Sequence, residues 1–157
     1  MATYTDSYGF QKGSAAPLAR GLNKTSRIEV TLDFPKIIAA RLAAGVTALA
    51  AGDVLEVLPV PAKSIVSNVG MEVTTAAGVT STIAIGDGSA AAGYLAATSA
   101  NATGVSGGVP VLSAGAFAPT LSGGKLYTAA DTIDVTLGTA VPAAAVVRVF
   151  ATLTDVS

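Results

Sequence analysis

The chain of 157 residues contains no cysteine and no histidine. Without cysteine it has neither disulfides nor thiolate metal sites, and the sequence does not indicate a redox compartment. The absence of histidine removes the usual general base, the commonest metal ligand and the side chain that titrates nearest neutral pH. A Ser/His/Asp or Cys/His catalytic system is therefore excluded.

Charged and aromatic residues are also scarce. Only 12% of the chain is charged and 5% aromatic, although 51% is hydrophobic. An ordinary soluble domain has about 25% charged residues. Because surface charge opposes association, a surface so poor in charge favours contact with other protein. An alanine-rich composition without functional meaning explains the same numbers.

The few charges are unevenly distributed. Up to Arg41 there are six basic residues and three acidic ones, whereas from Leu42 onward there are three basic and seven acidic. A basic first part attached to an acidic body suits docking onto an acidic partner protein. The basic residues are scattered and are not interleaved with aromatics, so we expect no binding of nucleic acid.

No stretch of the sequence predicts a membrane span. The most apolar window, residues 37–51, is too short to cross a bilayer and contains Arg41. The first residues are polar and lack the basic-then-apolar pattern of a secretion signal. We therefore expect a soluble chain with no membrane partner.

Residues 1–26 are predicted to form an extended N-terminal arm. Glycine, proline and small polar residues interrupt any helical or strand periodicity there, and a stretched arm would reach roughly 80 Å. Three of the eight aromatic residues lie in its first ten positions, and aromatics are favoured anchors at interfaces. The alternative is a disordered terminus. The predicted contacts with a capsid or another subunit are Tyr4, Tyr8, Phe10, Lys12, Arg20 and Lys24.

Residues 27–157 show the two-residue periodicity of strands. Alternating apolar and polar residues predict strands at 27–34, 53–60, 63–75, 80–86, 132–137 and 146–156. In the longest run, Ile65, Val69, Met71 and Val73 are predicted on one face, with Val66 on the other. Seven or eight short strands separated by turn signals predict an all-β fold, a β-sandwich of jelly-roll type.

Three connecting segments are less regular. Residues 37–51 favour a short helical turn or an irregular connection that caps one end of a sheet. Residues 76–78 are interpreted as a hairpin link, and residues 86–88 (Gly-Asp-Gly) as a tight turn rather than part of a calcium site. The low-charge stretch 86–124 is interpreted as a long loop that forms an exposed variable face or a subunit contact. Short strands or contact points are expected within it at Tyr94-Leu95, 109–112 and 117–121.

The sequence contains one candidate catalytic pair of carboxylates. A glycosidase needs two carboxylates that flank the scissile bond, and Glu56 and Glu72 are the only candidates within predicted strands of the middle region. Glu72 alternates with Met71 and Val73 and is therefore predicted to lie on a solvated face. Glycoside hydrolysis remains a remote third possibility.

Two sequence runs resemble small virion structural proteins of tailed bacteriophages. The first is residues 53–62 (DVLEVLPVPA), followed by Ile65-Val66, Val69-Gly70 and Glu72-Val73; the second is residues 82–88 (TIAIGDG), followed by Gly93-Tyr94-Leu95. The closing run, residues 131–137 (DTIDVTL), adds to the resemblance. Together these runs resemble head decoration, or cement, proteins over about residues 27–157.

The resemblance implies a β-sandwich that has no enzyme activity and no cofactor, binds the outer surface of the capsid and stabilises contacts between capsomers. Its implied partners are the major capsid protein and further copies of itself, as a homotrimer. The implied location is the outer surface of the virion, after synthesis in the host cytoplasm.

The alternative function is a host-recognition module that binds surface glycans on a head spike or fibre. Such modules use exposed aromatic side chains. The aromatics available in the body are Phe34, Tyr94, Phe117, Tyr127 and Phe150.

Overall fold

The computed structural model describes residues 3–4, 24–107 and 124–156. Its elements are ten strands and one helix: β1 (Thr3–Tyr4), β2 (Thr25–Asp33), α1 (Phe34–Ala43), β3 (Val54–Val60), β4 (Ser64–Thr75), β5 (Thr82–Asp87), β6 (Ala90–Ser99), β7 (Gly104–Gly107), β8 (Lys125–Tyr127), β9 (Asp131–Leu137) and β10 (Val146–Asp155). The predicted strands at 27–34, 53–60, 63–75, 80–86, 132–137 and 146–156 are confirmed, with ends that shift by one or two residues.

The strands form two facing sheets. The first sheet has the order β1-β3-β9-β5-β6, and the second has the order β2-β10-β4-β7, with β8 also paired to β4. All pairs are antiparallel except β1 with β3. The chain crosses repeatedly between the two sheets, and each sheet has four main strands. This arrangement of eight strands is that of a jelly roll, which consists of two Greek keys. The predicted β-sandwich of jelly-roll type is confirmed.

The core lies between the two sheets. Alternation along each strand sends β-branched and leucine side chains inward, and many of them are fully buried, among them Leu32, Leu55, Met71, Ile85, Val135 and Val149. The alternation of apolar and polar residues from which β2 and β10 were predicted is confirmed by their burial patterns, in which the apolar residues are buried. Burial of these apolar side chains is the main stabilising contribution to the fold.

Helix α1 begins earlier and is longer than the sequence predicted. Asp33 caps it, since its carboxylate accepts a hydrogen bond from the Lys36 backbone N–H at 3.2 Å, and Pro35 occupies the first turn. Phe34, predicted as the last strand residue, starts the helix and remains fully buried. Residues 46–50 then form the irregular connection.

The predicted faces of β4 are wrong at its N-terminal end. Val66 is fully buried, whereas Ile65 is only partly buried. The register with β10 shifts between Phe150 and Thr152, and Asn68 has a φ of 52°. This β-bulge adds one residue to β4 and so reverses the alternation on one side of it.

Two further predictions about connections are wrong. Residues 76–78 do not form a hairpin, because β4 belongs to the second sheet and β5 to the first. The stretch 86–124 is not a continuous loop, because β6 pairs with β5 and β7 pairs with β4. Strand β6 begins with three alanines, which have weak β propensity, so its structure depends on pairing rather than on local preference. The possible contact segments at 109–112 and 117–121 lie outside the described residues.

Candidate interaction surfaces

The predicted contact residues fall into three groups. Tyr8, Phe10, Lys12 and Arg20 lie outside the described residues. The backbone of Tyr4 is in β1, in register with Leu55 of β3, at the edge of the first sheet. Lys24 is exposed just before β2, and its backbone carbonyl accepts a hydrogen bond from the Asp155 N–H at 3.1 Å. The division into an arm and a body at residue 26 stays a prediction.

A buried polar network connects the two sheets at the turn between β5 and β6. One oxygen of Asp87, Oδ1, accepts hydrogen bonds from the backbone N–H groups of Ser89 and Ala90 at 2.9 and 3.2 Å. The other oxygen, Oδ2, accepts from the Lys125 ammonium group and from the Tyr127 hydroxyl, the latter at 2.5 Å. The tight turn predicted at 86–88 lies slightly later, because Gly86 and Asp87 end β5 and the turn itself is formed by Gly88 and Ser89. Asp87 also connects β8 to the first sheet.

The network extends into the core through two tyrosines. The hydroxyls of Tyr94 and Tyr127 are 2.7 Å apart, and both side chains are buried. Burial raises the pKa of each tyrosine above its ordinary value, and the hydrogen bond to Asp87 raises that of Tyr127 further. Both therefore stay neutral at physiological pH. The network was not predicted from the sequence, because Lys125 and Tyr127 are 38 and 40 residues from Asp87 along the chain.

Burial and hydrogen bonding act in opposite directions on Asp87. Burial favours the protonated acid, but the hydrogen bonds from Lys125, Tyr127 and Ser89 favour the carboxylate more and lower its pKa to about 2. Asp87 is consequently ionised at neutral pH. A fully satisfied buried network of this kind fixes local geometry, and we interpret it as structural.

A small acidic cavity of about 220 Å³ opens beside this turn. Glu56 and Asp134 lie opposite each other on β3 and β9 and both line it. Burial raises the pKa of Asp134 to about 6. The charges of Glu56, Asp131 and Asp87 contribute to the rise, and a hydrogen bond from the Thr132 hydroxyl opposes it.

The structure does not bring together the candidate catalytic pair. Glu56 is on β3 of the first sheet, whereas Glu72 is on β4 of the second. Glu72 is half-buried and forms an ion pair with Arg148. Within residues 24–107 and 124–156, no group of three or more acidic side chains has an arrangement that could hold a metal ion.

The outer face of the second sheet carries a balanced set of charges. Arg148 pairs with Glu72 and lies 3.9 Å from Glu29, which is itself 3.5 Å from Arg27. The Arg27 guanidinium also lies 4.5 Å from the centre of the Phe150 ring. Both arginines are therefore engaged by neighbours on this face, which leaves it little net charge for attracting an ionic partner.

An exposed apolar surface lies at the end of α1. We call it the α1 surface and define it by Ile38, Leu42, Val46, Ala48 and Leu49, which line a cavity of about 130 Å³. Leu42 is 80% exposed. No charged residue occurs in 42–52. The apolar run 37–51 was evident in the sequence, but we expected it to cap one end of a sheet rather than to form an exposed surface.

A buried arginine holds the α1 surface in shape. The Arg41 guanidinium donates two hydrogen bonds to the Thr47 carbonyl, at 3.0 Å from Nε and 2.8 Å from Nη2. The side chain is 3% exposed. The loop after α1 is thus fixed before any partner binds, which lowers the entropic cost of forming an interface.

The chain matches no protein-family model and no curated protein. Among solved structures, it is similar to a chain of the capsid of Ralstonia phage GP4, with a TM-score of 0.51 and 17% sequence identity over 92% of this chain and 91% of that one. It also resembles a chain of the cyanophage Pam1 capsid asymmetric unit, with a TM-score of 0.47 and 19% identity over 90% and 92% of the two chains. The first likeness shows a shared fold over nearly the whole length of both chains.

No helix within the described residues is long and apolar enough to cross a membrane.

Proposed function

We propose that the chain is a virion structural protein of a tailed phage, which binds the outer surface of the capsid and stabilises contacts between capsomers. The observation that carries the proposal is the jelly-roll fold shared with a chain of the Ralstonia phage GP4 capsid, over nine-tenths of both chains. In this proposal the protein has no enzyme activity, is made in the host cytoplasm and acts as a decoration, or cement, protein on the virion.

The surface of the body supports a role in protein contact. The α1 surface is apolar, uncharged and fixed in shape by Arg41, which are features of a protein interface rather than of a free solvated loop. We propose the major capsid protein as its partner. A head filled with DNA is under internal pressure, and many copies bound across capsomer boundaries resist separation through their combined contacts.

The N-terminal residues supply the second proposed contact. The basic side chains Lys12, Arg20 and Lys24 and the aromatic side chains Tyr4, Tyr8 and Phe10 are proposed to contact the capsid or a neighbouring copy. Removing residues 1–23 removes β1 and every proposed contact except Lys24, but it keeps all residues of β2 to β10. We expect the truncated chain to unfold at nearly the same temperature but to bind heads more weakly, and unchanged binding would contradict this assignment.

The glycan-binding alternative finds no support among the described side chains. Phe34, Tyr94, Tyr127 and Phe150 are all buried, so none of them presents a platform on which a sugar could stack. Phe34 packs in the core, Tyr94 and Tyr127 are hydrogen-bonded to each other in the network between the sheets, and Phe150 contacts Arg27.

The test is co-sedimentation of the purified chain with heads assembled without it. We expect saturable binding to mature, expanded heads and none to unexpanded proheads, with a fixed number of copies per capsomer at saturation. Absence of binding to both forms would contradict the proposal, and a glycan array probed with the same protein then tests the alternative.

A further inference from the structure

The acidic cavity beside the β5–β6 turn lies on the outer face of the first sheet. Strand β9 directs its apolar side chains into the core, so Asp134 and Thr136, which alternate with them, face outward and line the cavity. Gly86 is in register with Asp134 on the neighbouring strand β5. A Cβ at Gly86 would clash with the backbone of Ala90 and Ala91, so the turn passes over the sheet at this point. Asp134 is consequently only 5% exposed although it lies on an outer face.

Two oxygen atoms in this cavity have no hydrogen-bond donor within the described part of the chain. Oδ1 of Asp134 accepts a hydrogen bond from the Thr132 hydroxyl at 2.7 Å, but none of the described residues donates to Oδ2. Thr136 Oγ1 is buried and also lacks a partner among these residues. Buried polar atoms in native proteins are nearly always satisfied, because a missing partner is costly. These two oxygens therefore point to a ligand that supplies donors.

The charges around Asp134 are acidic on each neighbouring strand. Glu56 lies opposite it on β3, and Asp131 lies on β9 itself. Asp87, at the end of β5, also lines the cavity, and its charge is balanced by Lys125 of β8. None of the described residues that line the cavity is basic. A ligand that fits this environment carries positive charge.

The size of the cavity and its acceptors indicate the class of ligand. Its volume of about 220 Å³ is smaller than the roughly 300 Å³ at which pockets for whole small molecules begin. Among the described residues, no three acidic side chains are arranged to hold a metal ion. An ammonium or guanidinium group is small, positively charged and has several N–H donors. Such a group satisfies both oxygens and neutralises the Asp134 carboxylate at the same time.

We propose that this cavity binds a single ammonium or guanidinium group, with Asp134 Oδ2 and Thr136 Oγ1 as its principal acceptors. The group belongs either to a free amine or to a lysine or arginine side chain of a partner protein, and the recognition chemistry is the same for both. The cavity shares no lining residue with the α1 surface. The inference is therefore independent of the proposed binding to a capsid.

Titration of the purified chain with butylammonium, followed by backbone amide chemical shifts at pH 7 and constant ionic strength, tests the proposal. We expect saturable shifts confined to residues 86–91 and 134–136. Tetramethylammonium is the matched probe, because it has the same charge but no N–H donors, and it should cause no saturable shift. Equal shifts with both cations would show a response to charge alone, and no saturable shift with butylammonium would show that the cavity holds only water. Either result would overturn the proposal.

Two substitutions separate ligand recognition from a purely structural role. Thr136→Val removes a hydroxyl that has no partner among the described residues, so the melting temperature should not fall, but butylammonium binding should weaken about fivefold. Asp134→Asn should weaken binding about tenfold or more, because hydrogen bonds to a charged acceptor are stronger. The control Asp131→Asn removes a charge from the same strand outside the cavity and should have a much smaller effect. Equal affinities of D134N and D131N would contradict the assignment.

A second titration distinguishes the two sources of the cation. Lysine capped as its N-acetyl methylamide presents the same ammonium group on a segment of peptide backbone. Saturable shifts with both capped lysine and butylammonium would support a partner's side chain as the ligand, whereas shifts with butylammonium alone would support a free amine. Because these measurements use the free protein and small probes, their failure is distinguishable from a failure of capsid binding.

Discussion

Replacing Asp87 with asparagine is expected to destabilise the protein substantially. The substitution keeps the size of the side chain but removes its charge and turns one acceptor into a donor. Oδ1 accepts from the turn backbone and Oδ2 accepts from Lys125 and Tyr127. In either orientation of the amide, its NH₂ group faces donors, and buried groups are left without partners.

The magnitude follows from the pKa of the carboxyl. Asp87 has a pKa of about 2 in the folded protein against 3.8 as its ordinary value, which corresponds to about 2 kcal/mol of stability at neutral pH. Mismatched hydrogen bonds raise the expected loss to about 3 kcal/mol. For a domain of this size, that lowers the unfolding midpoint by about 6 to 12 °C.

The pH dependence has a defined sign. Because the folded pKa lies below the unfolded value, the stabilisation by Asp87 is complete above about pH 4 and is lost as the pH falls toward 2. Thermal unfolding followed by circular dichroism should therefore show a gap between wild type and D87N that is full at pH 7 and narrows below pH 4.

The control is Asp131→Asn, since Asp131 is exposed and accepts a hydrogen bond from the adjacent Thr132 N–H. We expect a change within about 0.5 kcal/mol for this variant. The reasoning is refuted if D87N melts within about 2 °C of wild type at pH 7, or if its deficit persists unchanged at pH 2.

Three further outcomes are expected. Asp134→Asn should stabilise the protein by about 1 to 3 kcal/mol at pH 7, because the raised pKa of about 6 makes the ionised carboxyl of Asp134 unfavourable in the folded protein. The gain, measured by urea unfolding, should vanish near pH 4, and a gain that stays constant between pH 7 and pH 4 would contradict this prediction. Gly86→Ala should lower the free energy of unfolding by about 3 kcal/mol or more, because the added Cβ would clash with the Ala90 carbonyl oxygen. Gly88→Ala is the control, since a Cβ at Gly88 meets open space, and equal melting temperatures for the two variants would refute the prediction. Leu42→Asp should weaken binding to heads about tenfold without changing the melting temperature. Val79→Asp, at an exposed site in the connection between β4 and β5, should bind normally, and equal affinities of the two variants would exclude the α1 surface from the contact.

Strong local periodicity made most of the fold predictable. β2, β9 and β10 alternate apolar and polar residues over most of their length, so their position and inward faces follow from the sequence. Only a short segment of β6 was expected, near Tyr94, because the alanines of this strand have weak β propensity. The bulge at Asn68 was not predictable, because it depends on pairing with β10, which is distant in sequence. The hairpin predicted at 76–78 was wrong for the same reason.

The candidate surfaces were less accessible to sequence reasoning than the fold. Asp87 stood out within Gly-Asp-Gly, but its partners Lys125 and Tyr127 become neighbours only after both sheets form. The raised pKa of Asp134 likewise requires the register of β3 with β9. Exposure of Leu42 depends on where α1 ends, which the alanine-rich sequence left undetermined.

The central claim is that bound protein strengthens the capsid, and DNA retention by heads tests it most directly. DNA-filled heads lacking the protein are compared with the same heads saturated by the purified chain, after osmotic shock and after heating. The account predicts that saturated heads retain their DNA under conditions in which bare heads release it. Equal release from saturated and bare heads would contradict the stabilising role, even if the protein binds.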